Sequence, residues 1–187
     1  MASTSEIRKG LCIEFNSDIY QVVDFQHVKP GKGAAFVRTK LKSMTNGRVV
    51  DNTFPSGHKI NDVRIERRKF QYLYKDDMGF HFMNTETYDQ ISFPEAMIDN
   101  PQFLKEGMEV DVIFHAEKNT ALTMELPPNI VVEVTYTEPG LKGDTATNTL
   151  KPATIETGAE VKVPLFVNTG DLIKIDTTTG EYLERAK

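Results

Sequence analysis

The sequence has a single cysteine, Cys12, and no long hydrophobic run. One cysteine cannot form an internal disulfide, and its apolar neighbours in "GLCIEF" favour a buried, inert thiol over a reactive one. The N-terminus shows no basic-then-apolar leader, and no segment is apolar enough to span a bilayer. The 187 residues, 39% of them hydrophobic, suffice for one compact domain or for two to three very small ones. We therefore expect a soluble, cytoplasmic protein with no membrane partner.

The sequence also lacks the motifs of common catalytic and metal sites. It contains no HExxH, CxxC or GxSxG motif, and its four histidines are scattered without the spacing of metal ligands. There is no GxxxxGK[ST] loop, and "GKGAAF" lacks the third glycine of GxGxxG. With no nucleophile beside a base and no metal site, the sequence predicts neither catalysis nor a cofactor.

Period-2 alternation of apolar and polar residues dominates over helical spacing, which predicts a mostly β protein. The predicted strands are residues 19–28, 34–44, 70–74, 80–84, 109–115, 121–126, 130–137, 160–168 and 172–176. One helix is predicted from Pro94 to Gly107, broken or restarted at Pro101. The charged stretch 61–69 and the prolines in "LPPN" at 126–129 predict boundaries between three β-barrel units, 1–63, 64–127 and 128–187.

The aromatic residues of the central unit allow two interpretations. Phe70, Tyr72 and Tyr74 share one face of a predicted strand and could stack on nucleic-acid bases, as aromatics do on OB-folds. We interpret them as core residues, because the acidic residues that follow would repel phosphate. Those residues are Asp76, Asp77, Glu86 and Asp89.

The net charge of −5 argues against a general nucleic-acid binder, but the charge is distributed unevenly. Residues 1–62 carry nine basic and six acidic side chains, whereas the rest of the chain is acidic. Residues 25–50 hold no Asp or Glu and six cations: Lys29, Lys32, Arg38, Lys40, Lys42 and Arg48.

Alternation along the second predicted strand places the side chains of its cations together. Phe36, Arg38, Lys40 and Lys42 project to one face, and Val37, Thr39 and Leu41 project to the other. This basic stripe is a candidate phosphate-binding surface. A solvated strand face is the alternative.

The stripe leads to the turn "KPGKG" at 29–33. Pro30 fixes φ and removes a backbone donor, and Gly31 and Gly33 can take positive φ without a Cβ clash. A tight protruding turn with Lys32 at its apex is therefore expected. An ordinary exposed turn is the alternative.

Three long stretches resemble one family. They are "VKPGKGAAFVRTKLK" at 28–42, "QYLYKDDMGFHFMNTETYDQI" at 71–91, and "EPGLKGDTA" followed by "KPATIETGAEVKVPLFVNTGDLIKIDTTTGEYLERAK" in 138–187. They are similar to bacterial elongation factor P through all three proposed units. The resemblance implies an all-β protein of three small barrels in an L-shape: an SH3-like (KOW-type) N-terminal barrel followed by two OB-fold barrels.

The resemblance also implies a function. Members of the family are translation elongation factors that bind the 70S ribosome between the P and E sites. There they stimulate peptide bond formation at consecutive prolines by positioning P-site peptidyl-tRNA. Lys32 would reach the CCA end and is a candidate for modification by a lysine-modifying enzyme, with the enzyme and the added group left open. The tRNA acceptor arm and rRNA would be contacted by Lys29, Arg38, Lys40 and Lys42.

In the third unit, Gly143, Asp144 and Thr145 match the family's loop that faces the E-site codon of mRNA. An acidic turn capped by its own side chain is the alternative. Many relatives continue with a glycine-rich turn where this chain has "TNTLKPA", so whether residues 146–150 keep an mRNA contact is left open.

We expect a monomer. A general RNA-binding barrel protein not tied to the ribosome, or an enzyme with a polar pocket, would be the competing classes.

Overall fold

The fold comes from a computed structural model of the chain, which describes residues 2–140 and 149–186. These residues form sixteen strands. The strands are β1 Ala2–Ser3, β2 Cys12–Phe15, β3 Asp18–Val28, β4 Phe36–Ser43, β5 Val49–Pro55, β6 Lys59–Asp62, β7 Ile65–Asp76, β8 Gly79–Asn84, β9 Gln90–Phe93, β10 Glu109–His115, β11 Thr120–Glu125, β12 Asn129–Thr137, β13 Leu150–Ile155, β14 Glu160–Pro164, β15 Leu172–Asp176 and β16 Tyr182–Arg185. The predicted all-β class is confirmed.

The predicted helix at 94–107 is wrong. Two short 3-10 helices, Glu95–Met97 and Pro101–Phe103, occupy that stretch, and a third covers Thr4–Glu6. Asn100 has left-handed backbone angles, with φ at 54°. Because the next residue is a proline without a backbone N–H, a continuous helix cannot pass this point.

The strands form three sheets in chain order. The first has the order β1-β6-β2-β3-β4-β5, the second β11-β10-β7-β8-β9, and the third β14-β13-β12-β15-β16. The described chain also divides into two compact units. The first unit runs through Arg68 and includes Phe93–Met97 and Val112–Met124; the second holds Lys69–Ser92, Ile98–Asp111 and the residues from Glu125 on. The division into three domains stays a prediction.

Apolar residues from alternate strand positions build the cores of both units. In the first unit, Ile13, Val22 and Leu41 are almost completely buried in one cluster, and Cys12 lies in a second, as its apolar neighbours predicted. In the second unit the buried cluster contains strand residues of the third sheet. It also contains Phe103, which comes from the 3-10 helix at 101–103 and is 4% exposed.

The aromatic face predicted for β7 is core at two of its three positions. Phe70 and Tyr72 are buried, whereas Tyr74 is 45% exposed. The β7–β8 register shifts between Tyr72 and Tyr74, and an extra residue in a strand turns the following side chains to the other face. Tyr74 instead stacks on the ring of His81, with centroids 4.6 Å apart.

Within the described residues, no helix has the length and apolar character needed to cross a membrane.

Candidate nucleic-acid interface

A long β-hairpin, formed by β3 and β4, carries the candidate site. Strand β3 has eleven residues, and it pairs with β4 from Tyr20 opposite Ser43 to Val28 opposite Phe36. Strand β5 continues the sheet on the other side of β4 and reaches the same end, with Pro55 opposite Phe36. Ladder hydrogen bonds on both sides of β4 thus hold the hairpin nearly to its tip.

The tip is the turn between these strands, and every residue from Lys29 to Ala34 is exposed. Gly33 has φ at 111°, outside the range that other residues readily adopt. Gly31 does not have a positive φ, so only one of the two glycines is required for its backbone conformation. Small side chains and an exposed backbone allow close approach to another molecule.

Lys32 is exposed at this turn and makes no hydrogen bond or ion pair with any residue that the structure describes. Its ammonium group is therefore accessible from solvent. Such a group can meet a phosphate or carboxylate of a partner, and its amine can be acylated.

Strand β4 alternates as predicted. Val37, Thr39 and Leu41 are buried at 3%, 2% and 0% exposure, while Arg38 and Lys40 are exposed. The Arg38 guanidinium lies over the ring of Phe36, 5.5 Å from its centroid. This cation–π contact orients the guanidinium along the arm toward the tip.

Two carboxylates beside the basic stripe were missed by the sequence analysis. Asp24 on β3 lies opposite Lys40, and Asp51 on β5 lies opposite Lys40 from the other side. Directly opposed residues of antiparallel strands project to the same face with Cβ atoms about 5 Å apart. The stripe is thus interrupted by acidic side chains at Lys40.

A fourth charge extends this row. The ammonium of Lys9 lies 3.3 Å from a carboxylate oxygen of Asp24. Its hydrogen bond and charge hold the pKa of Asp24 below the usual value, and Lys40 acts in the same direction. Asp24, Lys40 and Asp51 also line one depression of the surface, and Arg38 lines it as well. Lys40 therefore lies between two carboxylates, one of which is paired with Lys9.

The predicted mRNA-facing residues Gly143, Asp144 and Thr145 lie outside the described residues. The described residues on either side of this segment make close contacts. The Lys151 ammonium, on a residue only 7% exposed, donates to the Glu138 carbonyl oxygen at 2.6 Å. A Cβ on Gly140 would lie 2.9 Å from the carbonyl oxygen of Leu165, so glycine is required for this approach.

Comparison with known proteins agrees with this architecture. Residues 3–60 match the family model described as the elongation factor P (EF-P) KOW-like domain. Residues 65–122 match the elongation factor P (EF-P) OB domain, and residues 130–185 match elongation factor P, C-terminal.

Curated relatives match over the full chain. Elongation factor P of Amoebophilus asiaticus is 60% identical over 187 residues, which is 100% of this chain and 98% of that protein. Elongation factor P 1 of Porphyromonas gingivalis is 59% identical over 100% of both chains. Among solved structures, eukaryotic translation initiation factor 5A from Methanococcus jannaschii has a TM-score of 0.52 and 22% identity, covering 67% of this chain and 90% of that chain. That likeness concerns the fold.

The domain matches define a translation factor with a KOW-like domain and OB domains, and the three β-sheets fit these folds. Full-length identity near 60% to named relatives makes the assignment specific. The chain belongs to the elongation factor P family, and it is a translation elongation factor.

Proposed function

We propose that this chain binds the ribosome between the P and E sites and stimulates peptide bond formation at consecutive prolines by positioning P-site peptidyl-tRNA. The observation that carries the proposal is the position of Lys32. It stands exposed at the apex of a hairpin whose β4 strand is paired on both sides. Because β4 is hydrogen-bonded to a strand on each side, the hairpin is stiff and can hold the Lys32 ammonium at a defined position in a narrow space.

The chemistry belongs to the ribosome, and the chain contributes geometry and charge. Proline is a poor nucleophile for peptide bond formation, partly because its ring restricts the approach geometry. A cation beside the CCA end lowers the barrier by holding peptidyl-tRNA in a productive arrangement and by stabilising nearby negative charge. Lys32 supplies this charge on a flexible stem. Its amine can also be extended by acylation, which a guanidinium does not readily undergo.

The other cations of the arm are candidate contacts to tRNA and rRNA phosphates. Such contacts fix position without reading sequence. Residues 143–145 are the candidate contact to the E-site codon. The proposal further includes action as a monomer in the cytoplasm and modification of Lys32 by an enzyme of unknown identity.

Translation of a reporter with three consecutive prolines tests the central role of Lys32. We expect Lys32→Ala to abolish relief of stalling while the melting temperature stays unchanged, because an exposed turn side chain contributes little to stability. Lys59→Ala is the matched control, since Lys59 is an exposed lysine on β6. Full stall relief by Lys32→Ala would contradict the mechanism.

Two further measurements separate the alternatives. Lys32→Arg keeps the charge but removes the acylatable amine, so its activity shows whether charge alone suffices. Intact-mass spectrometry of protein from its native host shows whether Lys32 is modified. Binding to unrelated structured RNA as tight as binding to the ribosome would favour a general RNA-binding protein.

A further inference from the structure

The charges on the exposed face of the β3–β4–β5 sheet are arranged in rows across the strands. We name the row of Lys9, Asp24, Lys40 and Asp51 the neutral row. Asp24, Lys40 and Asp51 are in register on three adjacent strands, and Lys9 lies 3.3 Å from Asp24. Two ammonium groups and two carboxylates give this row no net charge.

The part of the arm between the neutral row and the tip is different. Arg38 is flanked by Gln26 and Thr53, which are uncharged. Neither residues 25–39 nor residues 52–58 contain an aspartate or glutamate. The cations Lys29, Lys32 and Arg38 are therefore not offset by any acid in these two segments.

We propose that the neutral row ends the phosphate-binding surface of the arm. RNA backbone contacts Lys29, Lys32 and Arg38, whereas the carboxylates of Asp24 and Asp51 repel phosphate at the level of Lys40. The row thereby limits how far the arm enters an RNA-lined site. This inference rests on the proposed ribosomal function and refines it. It distinguishes Lys40 from Lys29 and Arg38, which the sequence analysis assigned the same role.

Distances between neighbouring strands decide the electrostatic argument. A carboxylate on each side of Lys40 lies within about 5 Å at the Cβ level, whereas the diagonal distance from Asp24 or Asp51 to Arg38 is about 7–8 Å. The Debye length at physiological ionic strength is about 8 Å, so the two carboxylates act on Lys40 at close range and on Arg38 only near the limit of screening. A phosphate that approaches Lys40 therefore interacts with both carboxylates as well as with the ammonium. At Arg38 the flanking side chains carry no such charge.

A double-mutant cycle tests the proposal on 70S ribosomes that carry a tRNA in the P site. The measured quantity is the slope of log Kd against log salt concentration, which falls by about 0.7 to 0.9 for each phosphate that the protein no longer neutralises. We expect Arg38→Ala to reduce the slope by about that amount. Lys40→Ala should reduce it by less than half as much. Asp24→Asn combined with Asp51→Asn should tighten binding, by about twofold for each charge removed.

The cycle is completed by Lys40→Ala in the Asp24→Asn/Asp51→Asn background. With the carboxylates gone, Lys40 becomes a full phosphate contact, and its removal should then reduce the slope as much as the removal of Arg38. Asp77→Asn removes an exposed acid from the β7–β8 turn, and as the matched control it should leave the slope unchanged. Thermal melting checks that each variant is folded; the Lys9–Asp24 pair is exposed, so its removal should alter stability little.

Three outcomes overturn the proposal. The first is a reduction of slope for Lys40→Ala equal to that for Arg38→Ala in the otherwise unchanged protein. The second is Asp24→Asn/Asp51→Asn binding no tighter than the unchanged protein; if Lys32→Ala still abolishes stall relief, the proposed function stands without this refinement. The third is absence of ribosome binding by the unchanged protein, which removes the proposed function and this inference together.

Discussion

Replacing Gly33 with alanine should impair relief of polyproline stalling, whereas replacing Gly31 with alanine should not. Gly33 has φ at 111°, and Gly31 does not lie in the positive-φ region. A Cβ at Gly31 would meet no atom within 4 Å. Both variants add one methyl group beside Lys32, so they differ chiefly in backbone strain.

The free-energy cost of Gly33→Ala comes from the backbone conformation and not from a steric clash. A Cβ on Gly33 would lie 3.8 Å from Cγ of Pro30, which is an ordinary contact that adds no steric penalty. An L-residue forced to a positive φ costs about 1–3 kcal/mol. If the turn relaxes to avoid this cost, the population with the native tip falls by about 5-fold to over 100-fold. Gly31→Ala should instead favour the native turn by about 0.4–1 kcal/mol, because alanine makes the unfolded chain less flexible than glycine does.

The assay is reporter translation through consecutive prolines at equal concentrations of the unchanged protein and the two variants. Intact masses must first show the same state of Lys32 in all three. Thermal melts should differ little, because the turn can relax without disturbing the core. Equal stall relief by Gly33→Ala and Gly31→Ala would refute the claim that the conformation of Gly33 sets the tip.

Two remaining predictions concern the second unit. A Cβ on Gly180 would lie 3.2 Å from the Phe103 ring, at a φ of +73°. Gly180→Ala should therefore lower the free energy of unfolding by about 2–4 kcal/mol, combining overpacking with strain. Gly158→Ala, with φ at +87° and no atom within 4 Å, should cost only the strain; equal losses in urea titrations would contradict the packing argument. A hydrogen bond from Lys105, at 2.7 Å, holds the pKa of Glu156 below its usual value. A depressed carboxylate pKa adds stability above the unfolded pKa of about 4.3, and this stability is lost as pH falls through the folded value. Urea titrations from about pH 7 to about pH 3 should show a shallower acid loss for Glu156→Gln, by about 1 kcal/mol, and an unaltered pH profile would exclude this role.

Strand alternation made much of the sheet structure predictable. Residues 109–115 and 172–176 were predicted as strands and form β10 and β15 with those bounds. Strand β13 was not predicted; it contains Pro152, and proline within a run of residues opposes a strand assignment. The break at Pro101 was predicted, but the segments on either side of it form short 3-10 helices and not the predicted helix. Asn100 lies between them with a left-handed backbone that depends on its surroundings. Its amide donates to the carbonyl oxygens of Thr177 and Thr178, far along the chain.

The candidate site was predictable only in part. Local residue chemistry predicted the turn and the two faces of β4, because both depend on neighbours in sequence. The carboxylates beside Lys40 depend on strand register, and β3 shifts register between Val22 and Asp24. A bulge of this kind leaves no clear sequence signal. The role proposed for Lys32 came from the family resemblance, since an exposed lysine in a turn has no distinctive pattern of its own.

The position of Phe103 limits where this chain can be truncated or joined to a related chain. Its ring comes from the segment before β10, yet it belongs to the buried cluster of the last five strands. A fragment that begins at β12 would therefore lack this ring and leave a cavity in the cluster. Exchange of the C-terminal module between relatives has to carry Pro101–Phe103 along with it.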